Sequence, residues 1–130
     1  MMKQLIEMAL SAREKAYAPY SGFMVGAALE CADGTVYTGC NIENAAYSPT
    51  NCAERTAIFK AISEGYRDFT RIAIVGGKQG EMAAPAPCGV CLQVMSEFCN
   101  ADTFEVIMAK SANDYTAKYL KELLPSSFSL

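Results

Sequence analysis

Short apolar strands alternate with helical segments along this sequence, and this alternation constrains the fold more than any other feature. Helices are predicted over residues 1–17, 52–64 and 88–98, with a short helical turn over 120–124 before Pro125. Strands are predicted over residues 23–31, 35–40, 71–76, 104–110 and 115–119. The last of these could also be helical, but an edge strand is favoured. We therefore expect an α/β fold, a three-layer α/β/α sandwich around a five-stranded mixed sheet.

Turn and capping residues set the ends of several elements. The Asp33-Gly34 pair separates the first two strands and predicts an antiparallel hairpin. Thr50 or Asn51 is expected to cap the second long helix, which ends at Gly65. Strands that are connected through a helix should run parallel, so the sheet is predicted to be mixed.

The length of 130 residues suits one domain, and no repeat or linker divides the chain, so residues 1–130 are interpreted as a single domain. The hydrophobic fraction of 52% is that of a globular protein. The apolar runs are too short to cross a bilayer, and residues 1–7 lack the apolar block of a signal peptide. The formal net charge of −3 gives no attraction for nucleic acid. We expect a cytoplasmic protein that binds neither membranes nor nucleic acid.

The sequence contains six cysteines and no histidine. Without a secretion signal, metal binding or catalysis explains so many cysteines better than a disulfide framework does. Any zinc site must be built from thiolates and carboxylates, and a nucleophile or triad that depends on histidine is excluded. The cysteines are therefore the first candidates for a functional role.

Three of them, Cys52, Cys88 and Cys91, stand at the predicted starts of two helices. Cys88 and Cys91 are three residues apart, so their sulfur atoms can converge on one ion, and helix N-termini favour the thiolate form that a metal requires. With Cys52 as the third ligand, the fourth tetrahedral position stays open for water, which is typical of catalytic zinc. Glu54 lies two residues beyond Cys52, where it can exchange protons with the attacking water. This arrangement resembles that of the zinc-dependent nucleobase deaminases, with Cys as the first ligand.

Arg55 follows Glu54 directly and is a candidate for tuning the charge of the metal site. A zinc ion with three thiolates carries a net charge of about −1, which weakens its ability to acidify water. The Arg55 guanidinium could hydrogen-bond a ligand sulfur and offset this charge, although an ordinary surface cation is the alternative. The remaining cysteines, Cys31, Cys40 and Cys99, are interpreted as ordinary buried residues, with Cys40 the one most able to supply a fourth ligand.

Five segments of the chain carry a resemblance to one family. They are APYSGFMVGAA at 18–28, GCNIENAAY at 39–47, NCAERT at 51–56, PCGVC at 87–91 and ELLPSSF at 122–128. These motifs resemble those of the cytidine deaminases of the short homotetrameric type and cover essentially the whole chain. The resemblance implies one Zn²⁺ per subunit and hydrolytic deamination of cytidine and deoxycytidine to uridine and deoxyuridine, with release of ammonia, in pyrimidine salvage.

The resemblance also implies roles for individual residues. Cys52, Cys88 and Cys91 would bind zinc, and Glu54 would move protons. Substrate contacts are implied for Asn41 and Glu43 at the ribose 3′-hydroxyl, Phe23 beside the nucleoside, the Ala53 amide at the carbonyl oxygen of the base, Tyr47 near the ribose, and Phe128 stacked on the pyrimidine of a neighbouring subunit. The small-molecule nucleoside would therefore bind in active sites that are shared between the subunits of a homotetramer.

Two positions depart from the family pattern. Leu92 stands where the family has Arg after the second cysteine of the pair, and Ala86, which follows Pro85, stands where Ser is common. Neither position supplies a ligand, so the chemistry is unaffected, whereas a helix or subunit contact made by that Arg would be lost. Two alternative functions remain open at this point. One is a small zinc deaminase that acts on another aminopyrimidine such as blasticidin S, and the other is a zinc-stabilised binding module without turnover.

Overall fold

The computed structural model describes residues 2–130, and within this range the chain forms four helices and five strands. The helices are α1 (Met2–Arg13), α2 (Ala53–Ser63), α3 (Gly89–Phe98) and α4 (Leu120–Leu123). The strands are β1 (Phe23–Cys31), β2 (Val36–Cys40), β3 (Phe69–Lys78), β4 (Glu105–Ser111) and β5 (Asp114–Tyr119). The elements follow one another in the predicted order. None of the helices in this part of the chain has the length and apolarity to cross a bilayer.

All five strands join one sheet in the order β2-β1-β3-β4-β5. β1 is antiparallel to β2 and to β3, and β4 is antiparallel to β5, whereas β3 and β4 run parallel. The parallel pair is connected through α3, because parallel neighbours need a crossover rather than a tight turn. The predicted five-stranded mixed sheet is confirmed, with β5 at one edge.

Helices cover both faces of the sheet. Alternate residues of β3 point to opposite faces, so Ile72 and Ile74 pack in the core beneath α2, α3 and α4, while Ala73 and Val75 pack against α1. The core under α2 and α3 is the larger of the two and is filled by side chains such as Phe104. The predicted three-layer α/β/α arrangement is confirmed.

β2 and α2 approach each other closely at Gly39. A Cβ atom on this glycine would lie 2.6 Å from the carbonyl oxygen of Ala53 and 2.6 Å from the amide nitrogen of Ala57, far inside van der Waals contact. Because glycine has no Cβ, the end of β2 can lie directly on the first turns of α2. This contact places Asn41, which follows β2, in the same cavity as Cys52 at the start of α2.

The first helix is shorter than predicted. It ends at Arg13 rather than at Tyr17, and Met1, where it was predicted to begin, lies outside the described residues. The amide of Tyr17 donates to the carbonyl oxygen of Asn41 at 2.9 Å, and the carbonyl oxygen of Tyr17 accepts from the amide of Glu43 at 2.8 Å. The chain therefore leaves the helix early because this long-range pairing takes over the backbone of Tyr17.

The predicted N-cap of α2 was wrong. Cys52, and neither Thr50 nor Asn51, is the N-cap, and it makes no side-chain capping hydrogen bond. Oγ1 of Thr50 accepts from the amide of Asn44 at 3.0 Å, and Nδ2 of Asn51 donates to Oγ1 of Thr56 at 3.1 Å. Because the side chains of Thr50 and Asn51 are hydrogen-bonded elsewhere, neither caps α2, and Cys52 occupies the N-cap position.

Candidate active site

The sulfur atoms of Cys52, Cys88 and Cys91 lie within 4.8 Å of one another. Cys52 is the N-cap of α2, Cys88 is the N-cap of α3, and Cys91 lies in the first turn of α3. The amide of Cys91 donates to Sγ of Cys88 at 3.4 Å and orients the Cys88 side chain over the start of the helix. The fold therefore brings together the three thiols that the sequence singled out.

The spacing and chemistry of these thiols fit a zinc ion. The Sγ atoms of Cys52 and Cys88 are 3.7 Å apart. Two thiolates on a tetrahedral zinc ion, each at about 2.3 Å from the metal, are about 3.8 Å apart. Within residues 2–130, no fourth cysteine, histidine or carboxylate joins the cluster, so Cys40 is not placed as a ligand. Three protein ligands leave one position for water or substrate, as in catalytic zinc sites.

Arg55 lies beside the thiol cluster. Its Nη2 atom donates to Sγ of Cys52 at 3.3 Å. The hydrogen bond from the Cys91 thiol lowers the pKa of Cys52, and the Arg55 guanidinium lowers it further. The same shared hydrogen bond, together with burial, raises the pKa of Cys91. A permanent positive charge at this place offsets the negative charge that three thiolates bring to a metal site.

Glu54 lies in the first turn of α2 and is only 4% exposed. Burial, with a further contribution from the neighbouring Cys52 thiolate, raises the pKa of Glu54 to about 7. A carboxyl group with a pKa near neutrality can both accept and release a proton at neutral pH. Glu54 lines the same cavity as Cys52 and Cys88, so the fold places an acid–base group next to the metal ligands.

Asn41 is a buried polar residue just after β2, with 9% of its surface exposed. Its Oδ1 atom accepts from the amide of Val25 at 2.9 Å, and its Nδ2 atom donates to the carbonyl oxygen of Phe23 at 2.8 Å. These two bonds fix the carboxamide plane against the start of β1. One N–H of the amide remains to donate to another group.

Glu43 is held by the turn that precedes β1. Its carboxylate accepts from the amides of Tyr20 at 2.9 Å and Ser21 at 3.1 Å, and from the hydroxyl of Ser21. The hydrogen bond from the Ser21 hydroxyl, supported by the two amides, holds the pKa of Glu43 below its ordinary value. Glu43 is therefore an oriented carboxylate that stays charged at neutral pH.

A cavity of about 300 Å³ opens beside the thiols, which is large enough for a small-molecule ligand. It is lined by Ser21, Phe23, Val25, Asn41, Glu43, Thr50, Asn51, Cys52, Ala53, Glu54, Pro85, Ala86 and Cys88. The backbone amide of Ala53 begins α2, where helix geometry provides no partner for it. Phe23, Asn41, Glu43 and Ala53 thus share one cavity with the thiols and Glu54.

Tyr47 and Phe128 lie outside this cavity. Tyr47 is 75% exposed, adopts a left-handed backbone conformation with φ 65°, and lines a neighbouring cavity of about 380 Å³ that shares Ser21 and Glu43 with the first. Phe128 is 67% exposed, and its carbonyl oxygen accepts from Nε2 of Gln93 at 3.4 Å. Neither aromatic side chain is brought against the thiols of its own chain.

Three residues line the cavity although sequence reasoning gave them no role, namely Ser21, Val25 and Pro85. Ser21 holds the Glu43 carboxylate, and its place in the turn before β1 was the available signal. Pro85 stands three residues before Cys88, but nothing in the local sequence indicates that it lies over Gly76 together with Phe23. That arrangement depends on how the strands pair.

The family model described as the cytidine and deoxycytidylate deaminase zinc-binding region matches residues 1–108. The chain belongs to the cytidine and deoxycytidylate deaminase family. The matched stretch contains the three thiols and Glu54, and the cysteine cluster fits the zinc site of this family. The chain is accordingly an enzyme, a zinc-dependent hydrolase of the deaminase class.

Individual relatives resemble the chain along most of its length. The cytidine deaminase of Sporosarcina psychrophila is 50% identical over 128 residues, which are 98% of this chain and 91% of the relative. The cytidine deaminase of Halalkalibacterium halodurans is 52% identical over 126 residues, which are 97% of this chain and 92% of the relative. The crystal structure of cytidine deaminase from Burkholderia pseudomallei superposes with a TM-score of 0.87 at 50% identity and covers 96% of this chain and 97% of that one.

The two departures from the deaminase family pattern lie at or near the site. Leu92 is half-buried and packs against the core beneath α3, so an apolar side chain occupies an apolar environment there. Ala86 is exposed and lines the cavity. The three thiols are in place with both of these residues present.

Proposed function

We propose that the chain hydrolyses cytidine and deoxycytidine to uridine and deoxyuridine with release of ammonia, and that it serves pyrimidine salvage. The observation that carries this proposal is the buried carboxyl group of Glu54 in the same cavity as the three-thiol zinc site. The choice of substrate is supported by the two bacterial cytidine deaminases that share half of the sequence.

Cys52, Cys88 and Cys91 hold the zinc ion, which supplies Lewis acidity and lowers the pKa of water. Glu54 accepts the first proton that the attacking water loses and delivers it to N3 of the pyrimidine, while the water oxygen adds to C4. Glu54 then carries the second proton of the water to the amino group. Ammonia leaves, and the C4 carbonyl of the uracil ring forms. The pKa of Glu54, about 7, suits it to accepting and releasing these protons in turn.

Asn41 and Glu43 bind the ribose 3′-hydroxyl. The free N–H of the Asn41 amide donates to the hydroxyl oxygen, and the Glu43 carboxylate accepts the hydroxyl proton. Because the 3′-hydroxyl is present in both nucleosides, this pair of contacts admits cytidine and deoxycytidine alike. The negative charge of Glu43 disfavours phosphorylated substrates, so free nucleosides are preferred over nucleotides.

The pyrimidine ring is positioned by aromatic side chains and by one backbone amide. Phe23 lies along one side of the cavity, and the amide of Ala53 donates to the carbonyl oxygen of the base. Phe128 stacks on the base of a nucleoside in a neighbouring subunit, and Tyr47 lies near the ribose. Their exposure, 67% for Phe128 and 75% for Tyr47, supports this assignment, because large aromatic groups gain little from a place in water.

The protein forms a homotetramer whose active sites are shared between subunits. Large apolar side chains that are exposed in the single chain support this assembly; they include Tyr17, Tyr20, Ile42, Tyr47, Val90 and Phe128. Residues 1–130 make up one deaminase domain in each subunit. All six cysteines are free thiols, which suits the reducing cytoplasm.

A cytidine assay on zinc-loaded protein, followed by the loss of cytidine absorbance, tests the proposed reaction. The Glu54→Gln variant should lose at least ~10²-fold in kcat while it keeps one zinc per subunit by metal analysis. The Glu97→Gln variant, which changes an exposed glutamate of α3, is the matched control and should keep full activity. If the parent protein acts on blasticidin S but on neither nucleoside, the proposed substrate is wrong. If the Glu54→Gln variant is active, the proposed role of Glu54 is wrong.

The mass of the zinc-loaded protein by light scattering tests the assembly. Shared sites are supported if the parent protein is a tetramer and the Phe128→Ala variant has a higher KM for cytidine while it remains a tetramer. A monomer with full activity contradicts them.

A further inference from the structure

α1 buries an arginine that no step of the reaction uses. Arg13 is 5% exposed, and its Nη2 atom donates to the carbonyl oxygens of Gly77 at 2.9 Å, Lys78 at 2.9 Å and Glu81 at 3.1 Å. Within residues 2–130, its ion-pair partner is Glu14, whose side chain is 69% exposed. A buried guanidinium is costly unless its protons are accepted, and here backbone carbonyls rather than a buried carboxylate accept those of Nη2, while Nε has no hydrogen-bond partner among the described residues.

Two of these carbonyls, those of Gly77 and Lys78, lie at the end of β3, and the third, that of Glu81, lies in the turn that follows. After β3 ends at Lys78, the chain turns, with the amide of Glu81 donating to the carbonyl oxygen of Lys78 at 2.8 Å. It then returns to pair Ala83 with Gly76 through two backbone hydrogen bonds of 3.0 and 2.7 Å. We call residues 79–88 the β3–α3 segment. In the first half of this segment Arg13 holds the carbonyl oxygen of Glu81, and it thereby joins Glu81 to the end of β3 at Gly77 and Lys78.

The same segment forms a wall of the zinc cavity. Pro85 and Ala86 line the cavity, and Cys88 ends the segment as a zinc ligand. A Cβ atom on Gly76 would lie 2.9 Å from Cγ of Pro85 and 3.0 Å from Cε2 of Phe23, so both rings lie over this glycine. A shift of the segment therefore moves Pro85 relative to Phe23.

Arg13 lies on the opposite side of the sheet from the cavity. α1 packs on the face of Ala73 and Val75, whereas Cys52 and Cys91 belong to the other face. The side chain reaches the segment at the end of β3, where Gly26 lets α1 lie directly on β1, because a Cβ atom there would lie 2.5 Å from the amide nitrogen of Arg13. The guanidinium thus connects α1 to the β3–α3 segment, although Arg13 itself does not line the cavity.

We propose that Arg13 is a positioning residue for the deaminase reaction: by joining the carbonyl of Glu81 to those of Gly77 and Lys78 at the end of β3, it fixes the β3–α3 segment so that Pro85 stays over Gly76 with Phe23 as a wall for the bound pyrimidine. The proposal rests on the proposed function for the identity of the substrate. A merely structural role for Arg13 would lower stability without changing how the base is bound.

Steady-state kinetics on cytidine separate these two roles. Arg13→Met keeps the length of the side chain and removes every donor, so KM should rise about tenfold while kcat changes less than about threefold. Zinc content should stay at one per subunit, since the thiols are unchanged. Arg13→Lys keeps the charge and part of the hydrogen bonding, so it should lie between the parent and Arg13→Met; it carries the test if Arg13→Met does not fold.

Two control variants define the baseline. Glu14→Gln removes the exposed ion pair and keeps the three carbonyl contacts, and it should leave KM unchanged. Ile6→Ala destabilises α1 at a fully buried position remote from the β3–α3 segment, and it should lower the denaturation midpoint without raising KM. An equal rise of KM in Ile6→Ala would reduce Arg13 to a structural residue and overturn the proposal.

A double-mutant cycle tests whether Arg13 acts through Pro85. Pro85→Ala alone should raise KM, and adding Arg13→Met to it should raise KM by a smaller factor than in the parent. Independent, multiplying effects of the two substitutions would contradict the proposal.

Hydrogen exchange gives a readout that needs no substrate. The amides of Glu81 and Ala83 should exchange faster in Arg13→Met than in the parent, while amides in the centre of α2 should not. If the parent has no activity on cytidine, the proposed function fails, and this exchange pattern still decides whether Arg13 holds the segment. Unchanged exchange at Glu81 and Ala83 would overturn the proposal in either case.

Discussion

The Nη2 atom of Arg55 lies 3.3 Å from the Sγ atom of Cys52, so a permanently charged guanidinium donates a hydrogen bond to one of the three clustered thiols. Because this cation offsets the surplus negative charge of three thiolates, we expect Arg55→Ala to lose about 10- to 100-fold in zinc affinity or in kcat/KM. Zinc titration and cytidine kinetics measure both quantities. Arg67→Ala, which removes an exposed arginine that bonds only backbone carbonyls, is the control. Parental values in Arg55→Ala would remove Arg55 from the zinc site.

The hydroxyl of Thr56 connects the residues after β2 to the start of α2. It lies 3.0 Å from the carbonyl oxygen of Cys40 and 3.1 Å from that of Cys52, and it accepts from Nδ2 of Asn51 at 3.1 Å. Thr56→Val keeps the shape and removes the hydroxyl from Asn51 and from the carbonyl of Cys40, while the carbonyl of Cys52 still accepts from the amide of Thr56 at 3.0 Å, so we expect a loss of about 1–2 kcal/mol in the free energy of unfolding. Urea denaturation measures it. Thr56→Ser restores the hydroxyl and should recover most of the loss; equal losses in the two variants would argue against the hydrogen bonds.

The close contact at Gly39 predicts a contrast between two identical substitutions. Gly39→Ala places a methyl group 2.6 Å from backbone atoms of α2, which should cost about 1–3 kcal/mol of stability. Gly89→Ala at the first position of α3 meets no atom within 4 Å and should be neutral or stabilise the fold slightly. Guanidinium denaturation of the zinc-loaded variants makes the comparison. Similar midpoints for both would mean that β2 and α2 can separate at little cost.

Removal of zinc should change which thiols react. With a chelator present at pH 8, iodoacetamide should label Cys52 and Cys88, which line the cavity, whereas zinc-loaded protein should be protected at both. Burial raises the pKa of Cys99 to about 12 and also raises that of Cys31, so few of these thiols ionise at pH 8 and both should stay unlabelled. Peptide mapping by mass spectrometry identifies the sites, and labelling in denaturant is the control for complete reaction. Labelling of Cys99 ahead of Cys52 is the contrary result.

Much of the fold follows from local sequence patterns. β1 runs from Phe23 to Cys31 in the prediction and in the structure, because a short apolar run between turn residues has few other conformations. The edge position of β5 was also predicted correctly, although its pattern alone allowed a helix. The helix end at Arg13 was missed because it is set by the pairing of Tyr17 with Asn41, and a local pattern holds no information about such distant partners.

The part of the site that is formed by short sequence motifs could be predicted. The spacing of Cys88 and Cys91 at a helix start identifies two metal ligands from sequence alone, and the thiol of Cys52 joins them as expected. The capping rule failed at Cys52, where a ligand position replaced the usual capping side chain. The placement of Pro85 and Phe23 over the same glycine, Gly76, depends on strand order and register, so no motif could indicate it.

The walls of the zinc cavity come from β1, from the residues after β2 and from the starts of α2 and α3. Since these pieces are distributed over residues 21–88, the cavity depends on the packing of several elements, and a fragment that lacks one of them lacks part of the wall. We therefore expect the rate of inactivation by heat or by proteases to follow global unfolding of the protein rather than local unfolding of one loop.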